Sequence, residues 1–166
     1  GLRERALPEL PEVETVRIAL ARELAGRRIV KTRVHDSRLR FGVDVPRIET
    51  LLNDREVVQV RRRAKYLLVN LAGDDVVLLH LGMSGRLLFR EPEVVRETHD
   101  HVVFTLDDHR ELRFNDPRRF GMIDMFPRSE ESLHPRLVHL GVEPLTSGFT
   151  AESMRQLARR SRRPIK

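Results

Sequence analysis

The sequence predicts a mainly β domain with flanking helices: an antiparallel β-sandwich of two sheets, with one helix at the N-terminal end and another at the C-terminal end. Three observations lead there. Strand-like runs follow one another closely from Arg27 to Phe126. Short turn signals separate several of them, notably Ala72-Gly73-Asp74-Asp75 and Asp107-Asp108-His109. Closely spaced strands with short turns are the pattern of sandwiches and barrels. The longer helical periodicities lie at the two ends of the chain. A length of 166 residues with 40% hydrophobic content is enough for one domain with a real core.

The elements follow in order. Pro11–Ala25 reads as a helix, because Val13, Val16, Leu20 and Leu24 recur at near-helical spacing, Pro11 suits a first turn and Gly26 stops it. Arg27–Val34 reads as a strand. Residues 46–53 read as a short helix with Ile48, Leu51 and Leu52 on one side. Further strands are expected at Glu56–Arg61, Tyr66–Leu71, Val76–Leu81, Arg86–Arg90, His101–Leu106, Glu111–Phe114 and Met122–Phe126. A last helix is expected from Thr150 to Arg160, with Thr150 as N-cap and Met154, Leu157 and Ala158 on its apolar face. The tail Arg159–Lys166 is strongly basic.

The formal charge of +6 fits a polyanionic partner such as nucleic acid, and fits equally a protein with a basic surface. Lysine occurs only at Lys31, Lys65 and Lys166, so nearly all the positive charge is arginine, which grips phosphate with two donors but does not titrate near neutral pH. A lysine inside a motif therefore stands out. The absence of cysteine excludes disulfides and cysteine-ligated metals within this chain. No apolar run reaches the roughly 18 residues of a membrane span, and Gly1–Leu7 lacks the apolar core of a secretory signal. The cytoplasm is the expected compartment.

Five segments could carry chemistry. Pro8-Glu9-Leu10-Pro11-Glu12-Val13-Glu14 places three carboxylates at the entry to a helix, where acids also simply complement the helix dipole. In Arg61-Arg62-Arg63-Ala64-Lys65-Tyr66, Lys65 stands where a basic stretch gives way to an apolar strand. It is either an exposed strand-end lysine or an amine held at a cleft edge. In His80-Leu81-Gly82-Met83-Ser84-Gly85-Arg86, two glycines flank Met83, which a tight turn presents either to the core or outward as a wedge for a base stack. Asn115-Asp116-Pro117-Arg118-Arg119-Phe120-Gly121 sets two arginines and an aromatic ring on one loop. That suits contact with an unpaired base as well as an ordinary turn over a core phenylalanine. His99 and His101 alternate before a strand, without a convincing third metal ligand, so phosphate or structural hydrogen bonding is the expected use.

Taken together and in this order, these segments resemble the formamidopyrimidine-DNA glycosylase family. PELPEVETVR, RRAKYLL, HLGMSG, HDHV, NDPRRFG and HLGVEPL (His139–Leu145) carry the resemblance, which spans residues 8 to 166. It implies a bifunctional enzyme that removes oxidised purines such as 8-oxoguanine and formamidopyrimidines and then nicks the abasic strand. It implies that the secondary amine of Pro8 attacks C1′ and forms an iminium. Glu9 would be the general acid/base, Glu12 would support the sugar and the iminium, and Lys65 would handle the damaged base and a nearby phosphate. Met83, Arg118 and Phe120 match the trio that fills the void left by an extruded base. His80, His99, His101 and Arg63 are expected on the DNA-binding surface. The partner implied is damaged double-stranded DNA, bound by a monomer in the bacterial cytoplasm.

Two departures shape the expected organisation. Pro8 is preceded by Gly1–Leu7, read as an extension, so its nitrogen is an amide here. The family's helix–two-turn–helix segment and four-cysteine zinc finger are not within these residues, so no metal or cofactor is expected in this chain. Residues 8–150 are then the catalytic sandwich, and 151–166 a helix and basic connector. The alternatives are an endonuclease VIII-like glycosylase for oxidised pyrimidines and a non-catalytic DNA-binding relative.

Overall fold

The computed structural model describes residues 10–140. The expected C-terminal helix, Pro8 and Glu9 lie outside the described residues. Helix α1 spans Leu10–Leu24, opens with Pro11 and Glu12 in its first turn, and buries Val13, Leu20 and Leu24. Gly26 ends it with φ of 84°, a left-handed conformation that suits glycine, and its N–H donates to the Val57 carbonyl.

Eight antiparallel strands follow, with a short helix between the first two. They are β1 (Arg28–Val34), β2 (Arg55–Arg63), β3 (Tyr66–Leu71), β4 (Asp75–His80), β5 (Arg86–Arg90), β6 (Asp100–Leu106), β7 (Glu111–Asn115) and β8 (Met122–Pro127). Their order is β5-β7-β6-β1-β2-β3-β4-β8. The link between β1 and β2 is only the pairs Arg28↔Glu56 and Ile29↔Arg55. The ladder thus folds at that corner into two leaves, β5-β7-β6-β1 and β2-β3-β4-β8. Leu24, Ile29, Val69, Val77, Leu79, Phe104, Leu106 and Leu112 from both leaves and α1 share one core. This is the two-sheet antiparallel sandwich that the sequence predicts, with its leaves continuous along one edge.

Helix α2 (Val45–Leu51) is capped by Asp44, whose carboxylate accepts the Arg47 N–H at 3.2 Å. Ile48 and Leu52 are buried, but Leu51 is 41% exposed, contrary to the expected shared face. Three positions round a helix is close to one turn and four is slightly more. Ile48 and Leu52 therefore align, while Leu51 leans to solvent.

The other face of the second leaf carries a smaller apolar layer of Leu68, Val76, Leu78, Met122 and Phe126, covered by Leu137. The covering segment contains two 3-10 turns, Arg128–Leu133 and Val138–Leu140, which the sequence reading did not anticipate. Arg61 ties it down by donating to Glu131 through NH1 at 3.1 Å.

Strand register then decides where the motifs meet. Tyr66 pairs with His80, and His80 with Met122, so the β2–β3 turn, the β4–β5 loop and the β7–β8 loop converge at one end of the second leaf. In the first leaf Asn115 pairs with both Arg86 and Asp100, which brings the start of β5 and the residues just before β6, His99 among them, to the same end.

Candidate nucleic-acid interface

Lys65 sits in a two-residue turn closed by the Arg63↔Tyr66 pair. Its neighbour Ala64 adopts φ of 51°. A turn this tight fixes where the lysine stem starts. Arg62, 2% exposed, secures the turn twice: NH1 donates to the Ala64 carbonyl at 2.9 Å, and Nε donates to Glu14 at 2.7 Å. The second bond draws the opening of α1, with exposed Glu12 two residues upstream, onto the strand that leads to Lys65. Glu14 is held also by Arg17 at 2.7 Å. Burial alone would raise the Glu14 carboxyl, but hydrogen bonds from Arg17 and Arg62 outweigh it and hold the group below its ordinary value.

The β4–β5 and β7–β8 loops are locked together. Gly82 has φ of 60°, and a Cβ placed there would lie 2.6 Å from the Phe120 carbonyl carbon, so only glycine allows this backbone contact. Asp116 is fully buried. One of its carboxylate oxygens accepts from Ser84 Oγ at 2.6 Å and Arg119 N–H at 3.2 Å, and the other accepts from Gly121 N–H at 2.8 Å. Ser84 Oγ in turn accepts the Arg118 N–H at 3.0 Å.

The two consecutive arginines of this loop are used differently. Arg119 bonds Asp36 at 2.8 Å and the Arg38 carbonyl at 3.3 Å. Arg38, and then Arg119, hold the Asp36 carboxyl well below the usual carboxylate range. Arg118 instead points outward, its guanidinium 5.3 Å from the centre of the Phe120 ring. Phe120 is 41% exposed and Met83 half-buried. The core placement that the residues alone allowed for Phe120 is therefore not taken.

His80 lies between the Lys65 turn and these loops. Its Nδ1 accepts the Gly82 N–H at 3.0 Å, which leaves the proton on Nε2, and its ring meets Tyr66 at 4.8 Å. Burial, followed by the positive charges of Arg40 and Lys65, lowers its affinity for a proton. A small recess here is lined by Arg40, Phe41, Tyr66, His80, Phe120, Met122 and Arg136. Arg40 and Arg136 both stack on Phe41, at 5.4 and 4.2 Å from its ring centre. The end of the sandwich thus presents exposed cations and aromatic rings side by side, suited to phosphate and to an unstacked base.

The lowered His80 carries a stability consequence. The unfolded chain takes up a proton near a pH of about 6.5, while the folded chain resists it. This contribution is therefore complete above that pH and is lost as pH falls through the lowered folded value. His35, lowered by burial and then by Arg96 and Arg33, adds to it with the same sign. Melting temperature should fall between pH 7 and pH 5, and His80→Gln should flatten part of that slope. An unchanged slope in the variant would show that His80 binds its proton equally well in the folded and unfolded states.

Several expected contact residues take other positions. His101 is wholly buried, and its Nε2 donates to the Asp116 carbonyl at 2.8 Å. It shapes the loop and cannot touch DNA directly. Arg63, with 7% exposure, faces Glu131 at 3.6 Å and is committed to the interior. His99 is half-buried, its ring 5.9 Å from that of His101, and neither Nδ1 has a hydrogen-bond partner among the described residues. Among the described residues no group of three His, Cys, Asp or Glu is placed to hold a metal ion. Asp116 and Ser84 were not singled out from sequence, since Asp-Pro reads as a turn signal and Ser84 lies within a tight turn between two glycines. The only available hint was their place within two motifs that prove to touch.

One end of the sandwich thus gathers a carboxylate-bearing helix start, a lysine turn and the loops that carry Met83, Arg118 and Phe120. Comparison with known proteins places this arrangement in a family. Residues 7–123 match the family model described as the formamidopyrimidine-DNA glycosylase N-terminal domain. The chain is 45% identical over 161 residues to formamidopyrimidine-DNA glycosylase of Hahella chejuensis, covering 96% of this chain and 58% of that protein. It is 43% identical over 168 residues to that of Paracoccus denitrificans, covering 96% and 59%. Among solved structures it resembles Lactococcus lactis Fpg bound to DNA containing N7-benzyl-Fapy-dG, with a TM-score of 0.73, 28% identity, and coverage of 82% of this chain and 49% of that one. A second similar structure, Lactococcus lactis Fpg with Fapy-dG-containing DNA, has a TM-score of 0.69 at 28% identity, with coverage of 74% and 45%. The chain belongs to the formamidopyrimidine-DNA glycosylase family. It spans somewhat over half the length of these curated relatives.

Proposed function

We propose that this chain supplies the catalytic N-terminal part of a DNA glycosylase and abasic-site lyase that removes oxidised purines. One observation carries this reading: the loops that bear Met83, Arg118 and Phe120 converge with the Lys65 turn at the end of the sandwich to which Glu14 ties α1. The reaction assigned to these residues balances simply. The Pro8 nitrogen forms a bond to C1′, the bond from C1′ to the base breaks, and the base leaves with the electron pair and gains a proton. Sugar ring opening gives an iminium at C1′. Loss of a C2′ proton then breaks the C3′–O bond and nicks the strand. Glu9 moves these protons as general acid and base, and Glu12 steadies the cation. The void-filling side chains offset part of the unstacking cost of a few kcal/mol.

The partner in this reading is damaged duplex DNA, engaged by a monomer in the cytoplasm. The residues of this chain, having no cysteine, do not offer the four-cysteine ligand set of the family's zinc, and no step here uses that metal.

The test is strand nicking by the natural full-length protein on matched duplexes carrying 8-oxoguanine or an oxidised pyrimidine. Faster nicking at 8-oxoguanine is expected. Preference for the pyrimidine would move the assignment to the endonuclease VIII-like type, and binding without nicking would make the protein a non-catalytic relative.

A further inference from the structure

Two polar side chains at this end of the sandwich, half-buried Ser84 and wholly buried Asp116, join the two loops that carry the void-filling residues. We propose that Ser84 and Asp116 are positioning residues that fix Met83, Arg118 and Phe120 as one preassembled wedge; this rests on the lesion-extruding role proposed above.

The argument starts from the single proton of the Ser84 hydroxyl. Its oxygen lies 2.6 Å from an Asp116 carboxylate oxygen, which can only accept, so the hydroxyl donates there. Its lone pairs are left for the Arg118 N–H, 3.0 Å away. The proton direction is therefore determined, and one side chain of the Met83 loop holds the backbone of the Arg118 loop at the residue that must point outward. Asp116 fixes the loop on either side of Phe120 through the N–H groups of Arg119 and Gly121. Its own carbonyl is fixed by His101 Nε2, and its N–H donates to the His99 carbonyl at 3.0 Å. From the other side, the His80 bond to Gly82 N–H and the close backbone contact of Gly82 with Phe120 seat the Met83 turn. Arg118 and Phe120 stack on one another, and the clamp joins their loop to the loop that carries Met83. A side chain inserted into a base stack works only if held against the restoring force of stacking, so a rigid base is what this role requires.

The experiment compares Ser84→Ala and Ser84→Thr with the parent, in the natural full-length protein, on 8-oxoguanine paired with cytosine and on 8-oxoguanine in a single-nucleotide bulge, where extrusion is cheap. Loss of a charge-assisted hydrogen bond of about 1.5 kcal/mol corresponds to a loss on the order of tenfold. Ser84→Ala should lose about that factor on the paired lesion. It should stay near the parent rate on the bulge, and Ser84→Thr should recover. Equal rates on the paired lesion, or equal losses on both substrates, would overturn the proposal. A second readout needs no activity: amide hydrogen exchange at Arg118 in this chain should be slow in the parent, accelerated in Ser84→Ala and slow again in Ser84→Thr. Exchange unaffected by Ser84→Ala would sink the clamp by itself. A parent that fails to nick while showing the expected exchange pattern would instead sink the proposed function and leave the clamp as a structural fact without that role.

Discussion

A protein that begins at Pro8 and runs the full length of its relatives is expected to be trapped covalently by borohydride on duplex DNA containing 8-oxoguanine, and the same protein retaining Gly1–Leu7 is expected to show only background trapping. The reason is bond chemistry. A free prolyl nitrogen is a secondary amine with a pKa of roughly 8, substantially unprotonated near neutral pH and able to give its lone pair to C1′. Within the Leu7–Pro8 peptide bond that lone pair is delocalised into a carbonyl, and the bond's partial double-bond character is the sign of it. No neighbouring carboxylate can return it. The two proteins share every other residue, so the comparison isolates one nitrogen. Efficient trapping of the extended form, with mass spectrometry showing Gly1–Leu7 intact, would assign the nucleophile elsewhere, with Lys65 the first candidate. A Pro8-initiated protein that nicks but never traps would remove the iminium from the mechanism.

Glu14→Ala is expected to destabilise the domain by about 3 kcal/mol, the low end for breaking a buried ion pair. Arg62 is inside, whereas Glu14 retains 29% side-chain exposure, which tempers the effect. Without Glu14 the guanidinium keeps, among the described residues, its bond to the Ala64 carbonyl and stands as a buried cation without a carboxylate partner. For a chain of this size that corresponds to a fall in melting temperature of roughly 6–12 °C. Adding Arg62→Met to Glu14→Ala should recover much of the loss, because the stranded charge is gone. A single variant within 0.5 °C of the parent would show that Arg62 finds water or another acceptor. The same carboxyl sets an acid limit. It is held below its ordinary value in the folded state, so its contribution is present above the unfolded value and is lost as pH falls through the folded one. Because Glu14 also draws the start of α1 toward the Lys65 turn, nicking by the full-length variant should fall more than its stability at working temperature explains.

Much of the fold was legible because patterns of burial are written in periodicity. Val13, Leu20 and Leu24 announced the inner face of α1, and Tyr66–Leu71 and Arg86–Arg90 matched their strands to the residue. Strand ends were less legible. β2 continues to Arg63 because Arg62 and Arg63 find cross-strand partners in Leu67 and Tyr66, which no local pattern reveals. Arginine was the most misleading residue. Its abundance suggested a phosphate-binding surface, yet Arg61, Arg62, Arg63 and Arg113 are buried against carboxylates or carbonyls. Residue type alone does not separate Arg118 from Arg119, because only the fold places Asp36 beside the second of them; the family motif had singled out the first. The outward setting of Phe120 came from family resemblance, whereas the residues alone favoured the core. Asp116 was invisible as an organiser because its partners Ser84 and Gly121 approach it through the fold, and turn chemistry already accounted for an aspartate before proline.

The way the chain passes between the leaves also sets the order in which the domain assembles. β2, β3 and β4 are successive hairpins, and so are β6 and β7, so these pairings close short loops and form early. β1 must wait for β6, roughly seventy residues downstream, and β4 for β8. The β4–β5 and β7–β8 connections are the straps between leaves, and they reach their final shape only when both leaves have met. The paired loops that carry Met83, Arg118 and Phe120 are therefore expected to be among the last pieces to become ordered in folding.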